Sequence, residues 1–88
     1  DPHNLNLNLS VNGEERQASN TSNLIFDIPA LIAYLTKGIT LLPGDLIATG
    51  TPFGVALGMD NPKWLKDGDV CEASVEGIGT IRNTMRML

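Results

Sequence analysis

The stretch Leu5-Asn6-Leu7-Asn8-Leu9-Ser10-Val11-Asn12-Gly13 decides how the chain is read. Leu5, Leu7, Leu9 and Val11 alternate with Asn6, Asn8, Ser10 and Asn12, the period of a strand with one buried face. Asn12-Gly13 supplies the two positive-φ residues of a type I′ hairpin turn, so Glu14 to Ala18 reads as the return strand. That second strand is polar on both faces, which places it at a sheet edge or beneath another part of the protein.

Further along, Ala18 to Asn23 is a loop by composition, and the apolar Leu24-Ile25-Phe26 leads to Asp27, a helix N-cap with Pro29 in the first turn. The spacing of Ile28, Leu31, Ile32 and Leu35 predicts a helix over 28–37 with one apolar stripe, capped by Gly38 and packed on a sheet. Leu42-Pro43-Gly44-Asp45 has the type II turn pattern and feeds a short strand, Leu46-Ile47-Ala48, that runs into Thr49-Gly50-Thr51-Pro52. A long loop follows from Phe53 to Lys66, with Trp64 and Leu65 as its apolar anchors. Lys66-Asp67-Gly68-Asp69 turns the chain again. Val70 to Glu76 and Thr80 to Met87 read as strands joined by Gly77-Ile78-Gly79, with Cys71, Ala73 and Val75 on one face. The expected fold class is mainly β with one helix (α+β), a β-rich roll or sandwich.

Composition bounds the function. Of 88 residues, 42% are hydrophobic and 18% charged, the balance of a chain that folds, although a domain this small is marginal by itself. No apolar run approaches the roughly 20 residues of a membrane span. Six basic residues, scattered against ten acidic ones, give a net charge of −4 and no footprint for nucleic acid. The single Cys71 forms no internal disulfide, and with one histidine, His3, there is no Cys/His zinc site, so a reducing compartment is expected. No secretory signal pattern is present, and a start at Asp1 rather than methionine suggests excision from something longer.

Chemistry points to Thr49-Gly50-Thr51-Pro52. A strand ending in a small, hydroxyl-bearing turn presents backbone N–H groups and a side-chain donor at one point, and glycine lets a carboxylate approach the backbone. The same four residues also suit a plain strand end. Glu72 and Glu76, at i and i+4 of a strand, share a face and could serve a site or be solvated. Asp67 and Asp69 suit their turn, Asp27 its cap, and Cys71 a buried strand position. His3 lacks neighbours that would orient it as a base.

Read together, Val11-Asn12-Gly13-Glu14-x-Arg16-Gln17, Asn20-Thr21-Ser22, Leu24-Ile25-Phe26, Leu42 through Pro52 with Gly54-Val55, Gly68-Asp69-Val70-x-Glu72 and Glu76-Gly77-Ile78-Gly79 resemble the carboxy-terminal part of the fumarylacetoacetate hydrolase family. The resemblance implies that residues 1–88 are a C-terminal piece of a single catalytic domain of the mixed β-sandwich roll type. It implies a homodimeric enzyme, cytoplasmic or, in a eukaryote, of the mitochondrial matrix, that uses Mg2+ (or Mn2+ or Ca2+) on small 2-oxo or enol carboxylates. The favoured activity is hydrolysis of a C–C bond in acylpyruvates such as fumarylpyruvate or fumarylacetoacetate. Isomerisation or tautomerisation of 2-hydroxy dienedioates and decarboxylation of oxaloacetate-like acids are the alternatives. A non-catalytic folding or interaction module is the reading from another class. Thr51 matches the threonine that meets the substrate carboxylate, Gly50 is the hinge beside it, and Glu72 matches a position that in some longer members holds a glutamate orienting the catalytic histidine. The family's metal ligands, its lysine and its His/Glu pair lie upstream of the matching region, and His3 does not correspond to that histidine. The missing N-terminal part of the same domain is therefore an expected partner, and the 88 residues alone are not expected to turn over.

Overall fold

Alternation along the first strand organises a single sheet. In the computed structural model, which describes residues 1–88, β1 (Asn6–Val11), β2 (Glu14–Asn20), β3 (Val70–Val75) and β4 (Gly79–Thr84) pair antiparallel in the order β2-β1-β3-β4. One helix, α1 (Ile28–Leu35), and short 3-10 turns at Thr21–Asn23 and Ala56–Gly58 occupy the connection between β2 and β3. The chain is thus mainly β with one helix, and its polar return strand lies at the sheet edge.

The hairpin is built as the Asn-Gly pair requires, with φ of 52° at Asn12 and 80° at Gly13. Across the ladder Leu7, Leu9 and Val11 stand opposite Val75, Ala73 and Cys71, and Ala73 stands opposite Ile81, which makes one face apolar. Asn8, Ser10, Glu72, Ser74, Thr80 and Arg82 share the other face. Pairing of β1 with β2 shifts between Leu9, opposite Gln17, and Ser10, opposite Glu15, so Arg16 is the extra residue of a β-bulge.

Asn12 also fixes the start of β3. Its Oδ1 accepts from the Val70 N–H at 2.9 Å, its Nδ2 donates to Asp69 Oδ1 at 2.9 Å, and its backbone N–H donates to the Val70 carbonyl at 2.8 Å.

Several expectations are corrected. β2 runs on to Asn20, because Asn6 pairs with Asn20 and its side-chain Oδ1 accepts from Asn20 Nδ2 at 2.9 Å. β4 begins at Gly79 and ends at Thr84. Asp27 does cap α1, accepting from the Ala30 N–H at 2.9 Å, but the helix stops at Leu35 and Thr36 is its C-cap. The Thr36 hydroxyl back-bonds to the Ile32 carbonyl at 2.7 Å beside the Thr36 N–H at 3.0 Å, and the Lys37 N–H turns to the Tyr34 carbonyl at 3.3 Å, so the regular ladder ends there and Gly38 is not the cap. Neither does the helix lay its stripe on the sheet, since only the strands pack extensively on one another. Leu46-Ile47-Ala48 forms no strand, and Leu46 is 97% exposed, because no strand of these residues lies beside it to pair with. Trp64 and Leu65 remain exposed and do not anchor their loop.

Asp69 makes the turn before β3 sensitive to acid. The Lys66 backbone N–H, 2.8 Å from Oδ2, and the Asn12 side-chain amide hold its carboxyl below the ordinary carboxylate range. A folded-state value lowered in this way stabilises fully above the unfolded value of about 3.9, and the contribution is lost as pH falls through the lower folded value. The denaturant midpoint of the full-length protein is therefore expected to drop between about pH 6 and about pH 3. Asp69→Asn should lower the midpoint at the higher pH and flatten that drop. An unchanged pH dependence in the variant would remove Asp69 from this role.

Candidate functional site

Thr49-Gly50-Thr51-Pro52 forms part of the wall of a cleft of about 530 Å³ on the apolar side of the sheet. Leu7 of β1 is one lining residue, and Leu24, Ile25 and Phe26 line it from the segment before α1. A volume of this order suits a small organic ligand. Gly50 takes φ of 98°, a conformation that a side-chain-bearing residue holds only with strain, and a β-carbon there would meet no other atom. Glycine at this position thus serves the turn of the backbone rather than a tight contact. Near the cleft, Thr21 ties the chain down: its Oγ1 accepts from the Leu5 N–H and its own N–H donates to the Leu5 carbonyl, both at 2.9 Å.

The turn is strapped to the edge strand. Gln17 Nε2 donates to Thr51 Oγ1 at 2.9 Å and to the Pro52 carbonyl at 2.8 Å. Gly54, at φ of 113°, sits where a β-carbon would collide with the Arg16 carbonyl oxygen. Further along, Arg16 Nη1 donates to the Lys63 carbonyl at 3.2 Å, and Lys63 Nζ reaches Glu14 Oε1 at 2.8 Å. The Lys63 ammonium, assisted by Arg16, holds the Glu14 carboxyl below its ordinary range. Strict alternation would send Arg16 and Gln17 to opposite faces, yet with the bulge at Arg16 both engage the 51–63 segment.

Gln17 is therefore a site residue that sequence reasoning did not assign. The only signal was its place beside Arg16 in the segment carrying the family resemblance. Gly50 and Thr51 lie together at the cleft, whereas Glu72 is on the polar face, opposite Ser10, with Oε1 3.3 Å from Arg82 Nε. Glu76 falls just beyond β3, where its Oε2 accepts from the Asn6 N–H at 2.9 Å, so the two glutamates do not form one site. Asp67 accepts from the Met87 N–H at 2.8 Å and holds the C-terminal stretch. His3 Nδ1 lies 3.2 Å from Asp1 Oδ1 near the N-terminus, and Cys71 is half-buried in β3. No three His, Cys, Asp or Glu side chains gather where a metal ion could be held, so the residues present do not fit a divalent-metal centre.

The sheet thus presents a hydroxyl-bearing, glycine-hinged turn at a cleft walled by Leu7, Leu24, Ile25 and Phe26. Residues 1–86 match the family model described as fumarylacetoacetate (FAA) hydrolase C-terminal, and the chain belongs to the fumarylacetoacetate hydrolase family. It is 48% identical over 83 residues to the oxaloacetate tautomerase YisK of Bacillus subtilis, across 94% of this chain and 28% of that protein. The fumarylacetoacetate hydrolase of psychrophilic Exiguobacterium antarcticum superposes with a TM-score of 0.95 at 42% identity, covering 100% of this chain and 32% of that one. Maleylpyruvate hydrolase from Sphingobium sp. SYK-6, solved in complex with manganese(II) and pyruvate, gives 0.85 at 40% identity, covering 98% and 30%. The chain thus spans 28% to 32% of the length of these relatives.

Gly54→Ala is the test of the strap. With both a positive φ and a collision against backbone, the substitution is expected to destabilise the full-length protein by about 1–3 kcal/mol. Denaturant unfolding measures it, and a change under about 0.5 kcal/mol, as at an ordinary surface site, would show that the loop does not need its close seat on Arg16.

Proposed function

We propose that the full-length protein is an enzyme acting on a small 2-oxo acid or its enol, and that residues 1–88 supply the end of the site that holds the substrate carboxylate. The observation that carries this reading is Thr51, whose residue lines the cleft beside the positive-φ Gly50 while its hydroxyl is fixed by Gln17. An O–H and nearby backbone N–H groups that are already oriented bind an anion without reorganising when it arrives. Leu24 and Phe26 supply the apolar wall along which a short carbon chain would lie.

Two reactions fit this module, because both require a 2-oxo carboxylate held in place while enolate charge develops beside it. Cleavage of a C–C bond in an acylpyruvate is the reading drawn from the sequence, and the structural likeness to a maleylpyruvate hydrolase supports it. Keto–enol tautomerisation of an oxaloacetate-type acid is the second reading, favoured by the 48% identity to a tautomerase. The acid and base groups of either reaction, and the ligands of a divalent ion of the kind bound by the manganese-loaded hydrolase, belong in this proposal to the preceding part of the catalytic domain. The same part would complete the proposed homodimer. No helix of this chain is long and apolar enough to cross a membrane, and the proposed location remains the cytoplasm or mitochondrial matrix.

The full-length protein is to be assayed for enol-to-keto conversion of oxaloacetate and for cleavage of an acylpyruvate. Mg2+ or Mn2+ is supplied first and then removed with a chelator. Activity on one of the two substrates that disappears on chelation is expected. Thr51→Ala should raise KM for the carboxylate substrate about 10- to 100-fold, the size of a lost hydrogen bond to a charged group. Unchanged KM in that variant would remove Thr51 from carboxylate binding, and failure to convert either substrate with metal present would favour the folding or interaction module.

A further inference from the structure

We infer that Gln17 is a positioning residue that sets the polarity of the Thr51 hydroxyl, so that this hydroxyl meets the substrate carboxylate as a hydrogen-bond donor. The inference rests on the reading of Thr51 as the carboxylate contact and specifies how that contact is prepared.

The orientation of the Gln17 amide follows from its partners. One end of that amide faces both Thr51 Oγ1, at 2.9 Å, and the Pro52 carbonyl oxygen, at 2.8 Å. A carbonyl oxygen only accepts, so the group facing it must be the amide nitrogen and not the amide oxygen. The nitrogen carries two hydrogens, one for each partner. Thr51 Oγ1 therefore receives a hydrogen bond through a lone pair, and the hydroxyl hydrogen is bonded to no acceptor within the chain. A carboxylate offers only acceptors when ionised, and it complements a hydroxyl prepared in this way.

Gln17 is held firmly enough to impose this polarity. It is half-buried in the ladder opposite Leu9, directly after the bulged Arg16. Arg16 in turn meets the Lys63 carbonyl through its guanidinium and has Gly54 closely seated on its own carbonyl. The segment is thus tied to the strand at Thr51 itself and again beyond it, at Pro52, Gly54 and Lys63, and the amide holds the hydroxyl without placing a formal charge next to the ligand. A lysine here would attract the carboxylate to itself, and a glutamate would repel it and consume the hydroxyl hydrogen.

A double-mutant cycle in the full-length enzyme tests the inference. Gln17→Glu replaces the donor with an acceptor and should raise KM for the 2-oxo acid about 10- to 100-fold, with a smaller change in kcat. Gln17→Leu, uncharged and of similar bulk, should raise KM about 3- to 10-fold. On a Thr51→Ala background the Gln17→Leu substitution should add nothing, because its effect passes through the missing hydroxyl. Unfolding midpoints of each variant separate loss of folding from loss of binding, and where Gln17→Glu does not fold the Gln17→Leu cycle decides. Gln17 effects that multiply with that of Thr51→Ala, or Gln17 variants with ordinary KM while Thr51→Ala is impaired, overturn the positioning role and leave the carboxylate reading standing. Ordinary KM in Thr51→Ala overturns both.

Discussion

The arrangement of the whole chain depends on the Asn12 side chain. One residue in the left-handed region closes the β1–β2 hairpin and, through both ends of its amide, grips Asp69 and Val70. Those partners lie 57 and 58 residues along the chain, so the contact closes a long loop whose entropy cost the local hairpin does not share. Once Val70 is fixed against Asn12, antiparallel pairing places Cys71 opposite Val11 and Val75 opposite Leu7. The apolar face of the sheet and the cleft over Leu7 are consequences of that register. A slip of one residue would turn Cys71, Ala73 and Val75 to the polar side.

Hydrogen bonds rather than apolar burial hold these residues in place. Val11, at 4% exposure, is the only buried residue, while Ile25, Phe53 and Leu57 are 91%, 89% and 80% exposed. The accessible surface is 7121 Å², against about 5,000 Å² for a compact protein of this mass. The radius of gyration is 15.4 Å, against about 12 Å for a compact domain of this length. Apolar surface on this scale marks contact with further protein. The unpaired Leu46-Ile47-Ala48 fits the same account, because an apolar segment with strand character forms a ladder only when a second strand is beside it.

What the sequence disclosed follows the range of the interactions. β1, the Asn12-Gly13 turn and the Asp27 cap were legible because each is written within a few consecutive residues. The end of α1 was misread because Gly38 is the stronger local signal, whereas Thr36 acts through a back-bond to Ile32 that propensity does not register. The turn that carries Thr51 stood out by its glycine and its hydroxyl, and the structure places it at the wall of the cleft. Gln17 was not, since its partner is 34 residues away and its access to that partner comes with a bulge that breaks the alternation used to assign faces. Trp64 and Leu65 failed as anchors for a related reason. Size and apolarity suggested burial, yet the loop is held by the Lys63 backbone and ammonium, which sequence patterning treats as surface.

The proposed carboxylate role would also account for relatives of this chain being named for different reactions. In the proposed reading Thr51 and Gly50 engage a carboxylate, a group that neither tautomerisation nor C–C cleavage consumes at that end of the substrate. Glu72, by contrast, is paired with Arg82 on the far face of the sheet, so within these residues no acid or base stands at the cleft to choose between the reactions. The proposal therefore separates recognition from reaction choice in space: the strapped turn would fix where the 2-oxo acid begins, and the groups that meet its other end would determine which bond changes. A module with that division of labour is free of the pKa constraints that a catalytic acid or base imposes on its surroundings. It would need only a rigid donor and a shaped wall, the parts that the proposal gives to the Gln17–Thr51 pair and the Leu24–Phe26 segment.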